Sequence, residues 1–164
     1  MKRIFSLFLL LICLCGCSFQ KKTDSDTVTF YYLKENYTYG QNGTAVATEP
    51  HEKGSATWDL PYLITMYLMG PVEDGHISPL PPGTRIECSV NQDHSIVLEL
   101  SDNVKILSDA EFSLACACLS LTCFDVTDAP AVTVLDGERI VTLHADTIFL
   151  TDDITDFLNT EAME

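Results

Sequence analysis

Between Ser108 and Phe124 the chain carries two apolar stripes at helical spacing. Phe112, Ala115, Cys116, Leu119 and Cys123 form the first, and Leu114, Cys118 and Leu121 form the second. A helix here is apolar nearly all round, which makes it the most buried element of whatever the chain folds into. Ser108 followed three residues later by Glu111 is the capping box that marks its head.

The other elements are read around this helix. Val28 to Lys34 is rich in β-branched and aromatic side chains (Val28, Phe30, Tyr31, Tyr32) and fits a buried strand. Asn and Gly break regularity from Asn36 to Gly43, and Thr44 to Thr48 reads as a short extended piece. Leu60, Leu63, Ile64, Tyr67 and Leu68 make the stripe of a second helix, capped by Thr57 or Asp59, with Pro61 tolerated in its first turn. Gly70-Pro71 ends it. Pro79, Pro81, Pro82 and Gly83 form a rigid connector that is neither helix nor central strand. Ile86, Cys88 and Val90, then Ile96, Leu98 and Leu100, alternate with polar or partly covered positions as a strand pair turned at Asn91 to Ser95. Ala131 to Leu135 and Glu138 to Leu143 flank Asp136-Gly137 as a second hairpin. The order is β, α, ββ, α, ββ, with no internal repeat.

The first residues belong to export, not to the fold. Met1-Lys2-Arg3 and the apolar run Ile4 to Leu14 make a signal, too short for the roughly 20 residues that span a bilayer. Leu14-Cys15-Gly16-Cys17 closes it like a bacterial lipobox, with Cys17 as the residue that is acylated and becomes the mature N-terminus. Residues 1–16 are then the signal peptide, 17–27 the lipidated N-terminus and a flexible tether, 28–143 the domain, and 144–164 an edge strand near Thr147 to Leu150 followed by an acidic tail. Processing leaves 148 of the 164 residues, the size of one domain. It also removes Lys2 and Arg3 but no acidic residue, so the formal charge moves from −15 to −17. Such a surface repels nucleic acid and anionic headgroups, so attachment to the membrane comes from the diacylglyceryl chains on Cys17.

Four cysteines remain after the signal and the anchor: Cys88, Cys116, Cys118 and Cys123. On one helix, positions two apart point about 200° from each other and positions seven apart lie about 10 Å apart along the axis, so no pair within it forms a disulfide. The same geometry presents no tetrahedral thiolate face to a metal. Cys88 alone is free to reach a helix cysteine across the core; small thiols packing as hydrophobes are the simpler reading.

The order of elements and its punctuation resemble the GerMN domain of sporulation and spore-germination lipoproteins. The resemblance is carried by Val28-Thr29-Phe30-Tyr31-Tyr32, by Tyr67-Leu68-Met69-Gly70-Pro71 closing the first helix, and by Ser78-Pro79-Leu80-Pro81-Pro82-Gly83-Thr84. Leu121-Thr122-Cys123-Phe124 and Val132-Thr133-Val134-Leu135-Asp136-Gly137 complete it, over roughly residues 28 to 142. Asp93-His94 departs from the Asp-Gly often found in the family's first hairpin turn, and Asp102 to Leu107 is short. The resemblance implies an α/β, that is α+β, sandwich similar to ring-building-motif domains, with a small mixed sheet and two helices on one face. It also implies structural roles for Gly70, Pro71, Leu80, Pro81, Gly83, Thr84, Asp136 and Gly137. Family members are lipid-anchored or secreted interaction modules without established enzymatic activity.

The residues themselves offer little chemistry. His51, His76, His94 and His144 are scattered over loops and turns without metal-ligand spacing, and read as exposed polar side chains. There is no nucleophile elbow and no phosphate-cradling glycine loop. Thiols in apolar surroundings of an acidic protein are poor nucleophiles. Asp152, Asp153 and Asp156 lack the pattern of a calcium loop. No catalytic residue, metal or cofactor is expected. Two readings stand: a lipid-anchored scaffold that docks an envelope protein or itself through a sheet edge, and a binder of peptidoglycan or a small ligand that assists a wall hydrolase. The second rests on Tyr31, Tyr32, Tyr37, Tyr39 and Trp58, which pack in a core just as readily.

Overall fold

The computed structural model describes residues 27–37, 45–54 and 57–147. The fold is α+β, with two helices and seven strands among those residues. In chain order they are β1 (Thr27–Lys34), β2 (Val46–Glu52), α1 (Leu60–Leu68), β3 (His76–Ile77), β4 (Ile86–Val90), β5 (Ile96–Leu100), α2 (Asp109–Val126), β6 (Ala131–Leu135) and β7 (Ile140–His144), with a 3-10 turn at Asp102–Ile106 before α2.

The strands divide between two sheets, where a single small one was expected. β2-β1-β3 is antiparallel throughout, and β4-β5-β6-β7 is mixed, because β5 and β6 pair in parallel. A parallel pair needs a long crossover, and α2 is that crossover. The helix packs on β6 and β7 of one sheet and along β1 of the other.

What joins α2 to β1 is polar. β1 presents backbone amides towards the helix, and two helix side chains take them: Tyr31 N donates to Thr122 Oγ1 at 3.1 Å and Thr29 N to Asp125 Oδ2 at 2.8 Å. A buried strand edge would otherwise leave unpaired donors. The apolar stripes of α2 fill the remaining contacts, so Phe112, Ala115, Cys116, Cys118, Leu119 and Cys123 are all buried.

Local signals decide the ends of the elements. Asp59 caps α1 by accepting from Tyr62 N, and Gly70, at φ 86°, ends it in the left-handed conformation that a helix C-terminus favours. Both halves of the capping box at Ser108 and Glu111 are formed. β2 runs on to Glu52, beyond the expected Thr48, since it pairs with β1 along its length. Pro50 is accommodated because β2 is an edge strand. Two segments expected from sequence, the edge strand at Thr147 to Leu150 and the acidic tail, lie almost wholly outside the described residues, as does Cys17.

The aromatic residues near the N-terminus form the core between β1 and α1. Tyr32 stacks on Tyr67 with ring centroids 5.0 Å apart, and Phe30 meets both edge-on. Tyr67 donates its hydroxyl to Tyr31 O and Tyr32 donates to Tyr67 O, so neither buried phenol is left unpaired.

Candidate interaction surface

The sheet β4-β5-β6-β7 has one face in the core and one open. Ile96, Leu98, Leu100, Val132 and Val134 point inward and are buried. Strand register places the outward residues in rows across the sheet: Glu87, Glu99, Leu135 and Ile140 in one, Ser89, Val97, Thr133 and Thr142 in the next. Ile140 is 71% exposed, and Thr133 and Thr142 share a hydroxyl hydrogen bond of 2.9 Å.

Two strands bound this face, and they differ. On β4 the outward side chains include Arg85 just before the strand and Glu87 within it, charges of the kind that discourage edge pairing. β7 reads Ile-Val-Thr-Leu-His, with β-branched side chains, no Lys, Asp, Glu or Pro, and no described strand on its outer edge. Such an edge is a ready template for another strand.

The turn that holds β7 is rigidly built. Asp136 is buried and accepts from Glu138 N and Arg139 N at 3.1 and 2.8 Å and from Arg139 Nε at 2.8 Å. Arg139 Nη2 lies 2.7 Å from the same carboxylate. Burial alone would raise the Asp136 pKa, but these donors win and hold it below the usual carboxylate range. The guanidinium also donates to Leu107 O and Val104 O and lies 4.0 Å over the Phe112 ring. One side chain therefore ties the hairpin to the 3-10 turn and to the head of α2. Gly137, at φ 85°, supplies the left-handed residue of this turn; in the β4-β5 turn His94 takes that role at φ 65°.

A second buried carboxylate fixes the loop after α1. Glu49 accepts from Val72 N and Glu73 N, both at 3.1 Å, and meets His76 Nδ1 at 2.7 Å. Burial works against the charge, yet these hydrogen bonds keep its pKa lowered. His51 Nε2 lies 3.5 Å from the same group, with its ring on Phe30. The expectation of exposed histidines holds for His94 and His144 and fails for His51 and His76, which fold in around Glu49. Sequence spacing gives no sign of this cluster, because Glu49 and His76 are brought together only by the pairing of β1 with both β2 and β3.

Among the residues singled out by family resemblance, Leu80, Gly83 and Thr84 belong to the turn before β4. Thr84 donates its hydroxyl to Pro81 O and accepts from Asn103, and Leu80 is buried. Gly83 is left-handed at φ 77°. Of the candidate binding aromatics, Tyr32 is wholly buried and presents nothing to a ligand, a correction that follows from its place on the inward face of β1. Trp58 is half-buried against Phe30 and Tyr62 and donates to Lys53 O. Tyr31 and Tyr37 are half-buried, and Tyr39 lies outside the described residues. The four that are described do not form one exposed aromatic platform.

The four described thiols are free. Burial pushes Cys116, Cys118 and Cys123 up to about 12, which leaves them as thiols at neutral pH. Among the described residues no group of three or more His, Cys, Asp or Glu side chains is arranged to hold a metal ion.

No family model matches the chain, and no curated protein matches it. Solved structures do. The first GerMN domain of the sporulation protein GerM from Bacillus subtilis is 13% identical, covers 70% of this chain and 85% of its own, and has a TM-score of 0.48. The tandem GerMN domains of the same protein give 14% identity, 70% and 40% coverage and a TM-score of 0.47. A Clostridium perfringens protein named as a lipoprotein gives 13% identity, 77% and 91% coverage and a TM-score of 0.44.

Proposed function

We propose that this chain is a GerMN-type module held by Cys17 on the outer face of the bacterial cell membrane, and that it acts without catalysis by docking an envelope protein or a second copy of itself. A role in sporulation or spore germination goes with that reading. Three features support it: the lipobox, the family punctuation carried by turn and cap residues, and the absence, among the described residues, of a platform of exposed aromatics that a wall polymer would need. The observation that carries it is β7, an uncharged, β-branched edge beside an open sheet face. Strand addition there would supply backbone hydrogen bonds, and the outward row ending in Ile140 would supply side-chain selectivity.

The test is a photocrosslinking residue at Thr142 in the intact lipoprotein, with Ile140→Lys as the blocking change. Both side chains are exposed, so folding is preserved. Crosslinks to an envelope protein or to a second copy, lost in I140K at unchanged Tm, support strand addition. Unchanged crosslinks in I140K, or retention on purified sacculus with no protein crosslink, overturn it.

A further inference from the structure

An open apolar groove of about 620 Å³ lies at one end of the four-stranded sheet. Its floor is Leu60 from α1, Val90 and Ile96 from β4 and β5, and Ala129 and Pro130 from the segment that leads into β6. Val90 is 58% exposed there although it lies in the same inward row as buried Ile96 and Val132. The inward face of the sheet thus runs out from under its cover at this end.

β7 finishes at the same end. His144 pairs with Ala131, and Ala145 N donates to Pro130 O at 3.1 Å, so the chain leaves the sheet in contact with a residue of the groove. It then turns, with Thr147 N bonded to His144 O. No residue of that turn has positive φ, so it is not the I′ or II′ type that would send the next residues back along β7 as a two-residue hairpin. Seventeen residues follow Thr147, and the first three are Ile148-Phe149-Leu150.

From these observations we infer that the groove is the docking site of the chain's own C-terminal segment, with Ile148, Phe149 and Leu150 seated against Leu60, Val90 and Ile96. The reach is sufficient. The chain leaves from Pro130 at the head of β6, β4 is two strand spacings from β6, about 10 Å, and three extended residues cover about 10 Å. Charge sets the register. Asp93 and Asp128 stand at the groove, and Asp152, Asp153 and Asp156 follow the apolar triplet, so repulsion keeps the acidic run out in solvent and leaves the triplet as the part that docks. In this arrangement the outer edge of β7 stays open.

The test compares hydrogen exchange of the full chain in detergent with that of Phe149→Asp and of a truncation after Thr147. A photocrosslinker replaces His94 in a parallel sample made from mixed light and heavy isotopes. Docking predicts at least tenfold faster exchange in residues 90–96 and 127–131 in both variants, no change in 140–144, and a crosslink from position 94 to residues 148–150 within one isotope class. Faster exchange confined to 140–144 would show an edge strand on β7 instead and overturn the inference. So would unchanged exchange everywhere, or a crosslink between isotope classes, which would place a second copy in the groove.

Discussion

Replacing Arg139 with Met keeps most of the side-chain stem over Phe112 and removes the guanidinium. The Asp136 carboxylate, with its side chain wholly buried, keeps two backbone donors and loses the two charged contacts at 2.8 and 2.7 Å. Leu107 O and Val104 O lose donors at 2.9 and 3.1 Å in the same step. Removing one partner of a buried ion pair costs about 3–5 kcal/mol. Because the Arg139 side chain is 23% exposed and Asp136 keeps its amides, the lower end applies, about 3 kcal/mol. At a urea slope of about 2 kcal/mol per M the midpoint falls by about 1.5 M with the slope unchanged. Asp136→Asn in the R139M background removes the stranded charge, so the double variant is less destabilised than the sum of the singles by about 1 kcal/mol or more. A loss below about 1 kcal/mol for R139M, or strictly additive singles, would refute the view that this pair holds the β6-β7 hairpin to α2.

The two buried carboxylates also set a pH dependence. Asp136 and Glu49 both have lowered pKa values in the fold, so the unfolded chain takes up protons first. Their contribution is complete above the unfolded carboxylate value of about 4 and drains away as pH falls through it towards the folded values. Urea midpoints between pH 7 and 2 should fall in that window, and less steeply in Asp136→Asn. Glu49→Gln removes the charge that Val72 N, Glu73 N and His76 share. It should cost about 2 kcal/mol and speed amide exchange in residues 72–77 more than elsewhere; uniform exchange changes would deny Glu49 a local role. Alkylation of the native protein with iodoacetamide should leave Cys116, Cys118 and Cys123 unmodified until urea is added, as mass spectrometry of the peptides will show. Cys17→Ser should abolish metabolic labelling by palmitate and release the protein from the membrane fraction.

The elements whose pattern is local were readable. The capping box at Ser108, the stripe of α1 and the alternation of β4 and β5 each need only a few neighbouring residues to declare themselves. The helix that is apolar nearly all round is legible too, but not the reason it tolerates Thr122 and Asp125. Those side chains serve amides of Thr29 and Tyr31, more than ninety residues earlier. β3 has two residues and no period to detect. The parallel pairing of β5 with β6 depends on how α2 crosses over, which periodicity does not encode. Glu49 carries no signal in the sequence, because its partners lie 23 to 27 positions away. The Asp136-Gly137 turn was visible, whereas the reach of Arg139 back to Val104 and Leu107 was not. Tyr32 misled in the opposite sense: an aromatic in a strand reads equally as a binding surface or a core, and only the face it takes decides.

The most direct test of an interaction module working through its β7 edge is photocrosslinking from Thr142 in living cells at native expression, compared with the same probe at Ser89 on β4. The account predicts one dominant protein adduct from Thr142, absent from Ser89 and abolished by Ile140→Lys. Equal adducts from both strands, or none from either while the protein stays on the sacculus, would contradict it.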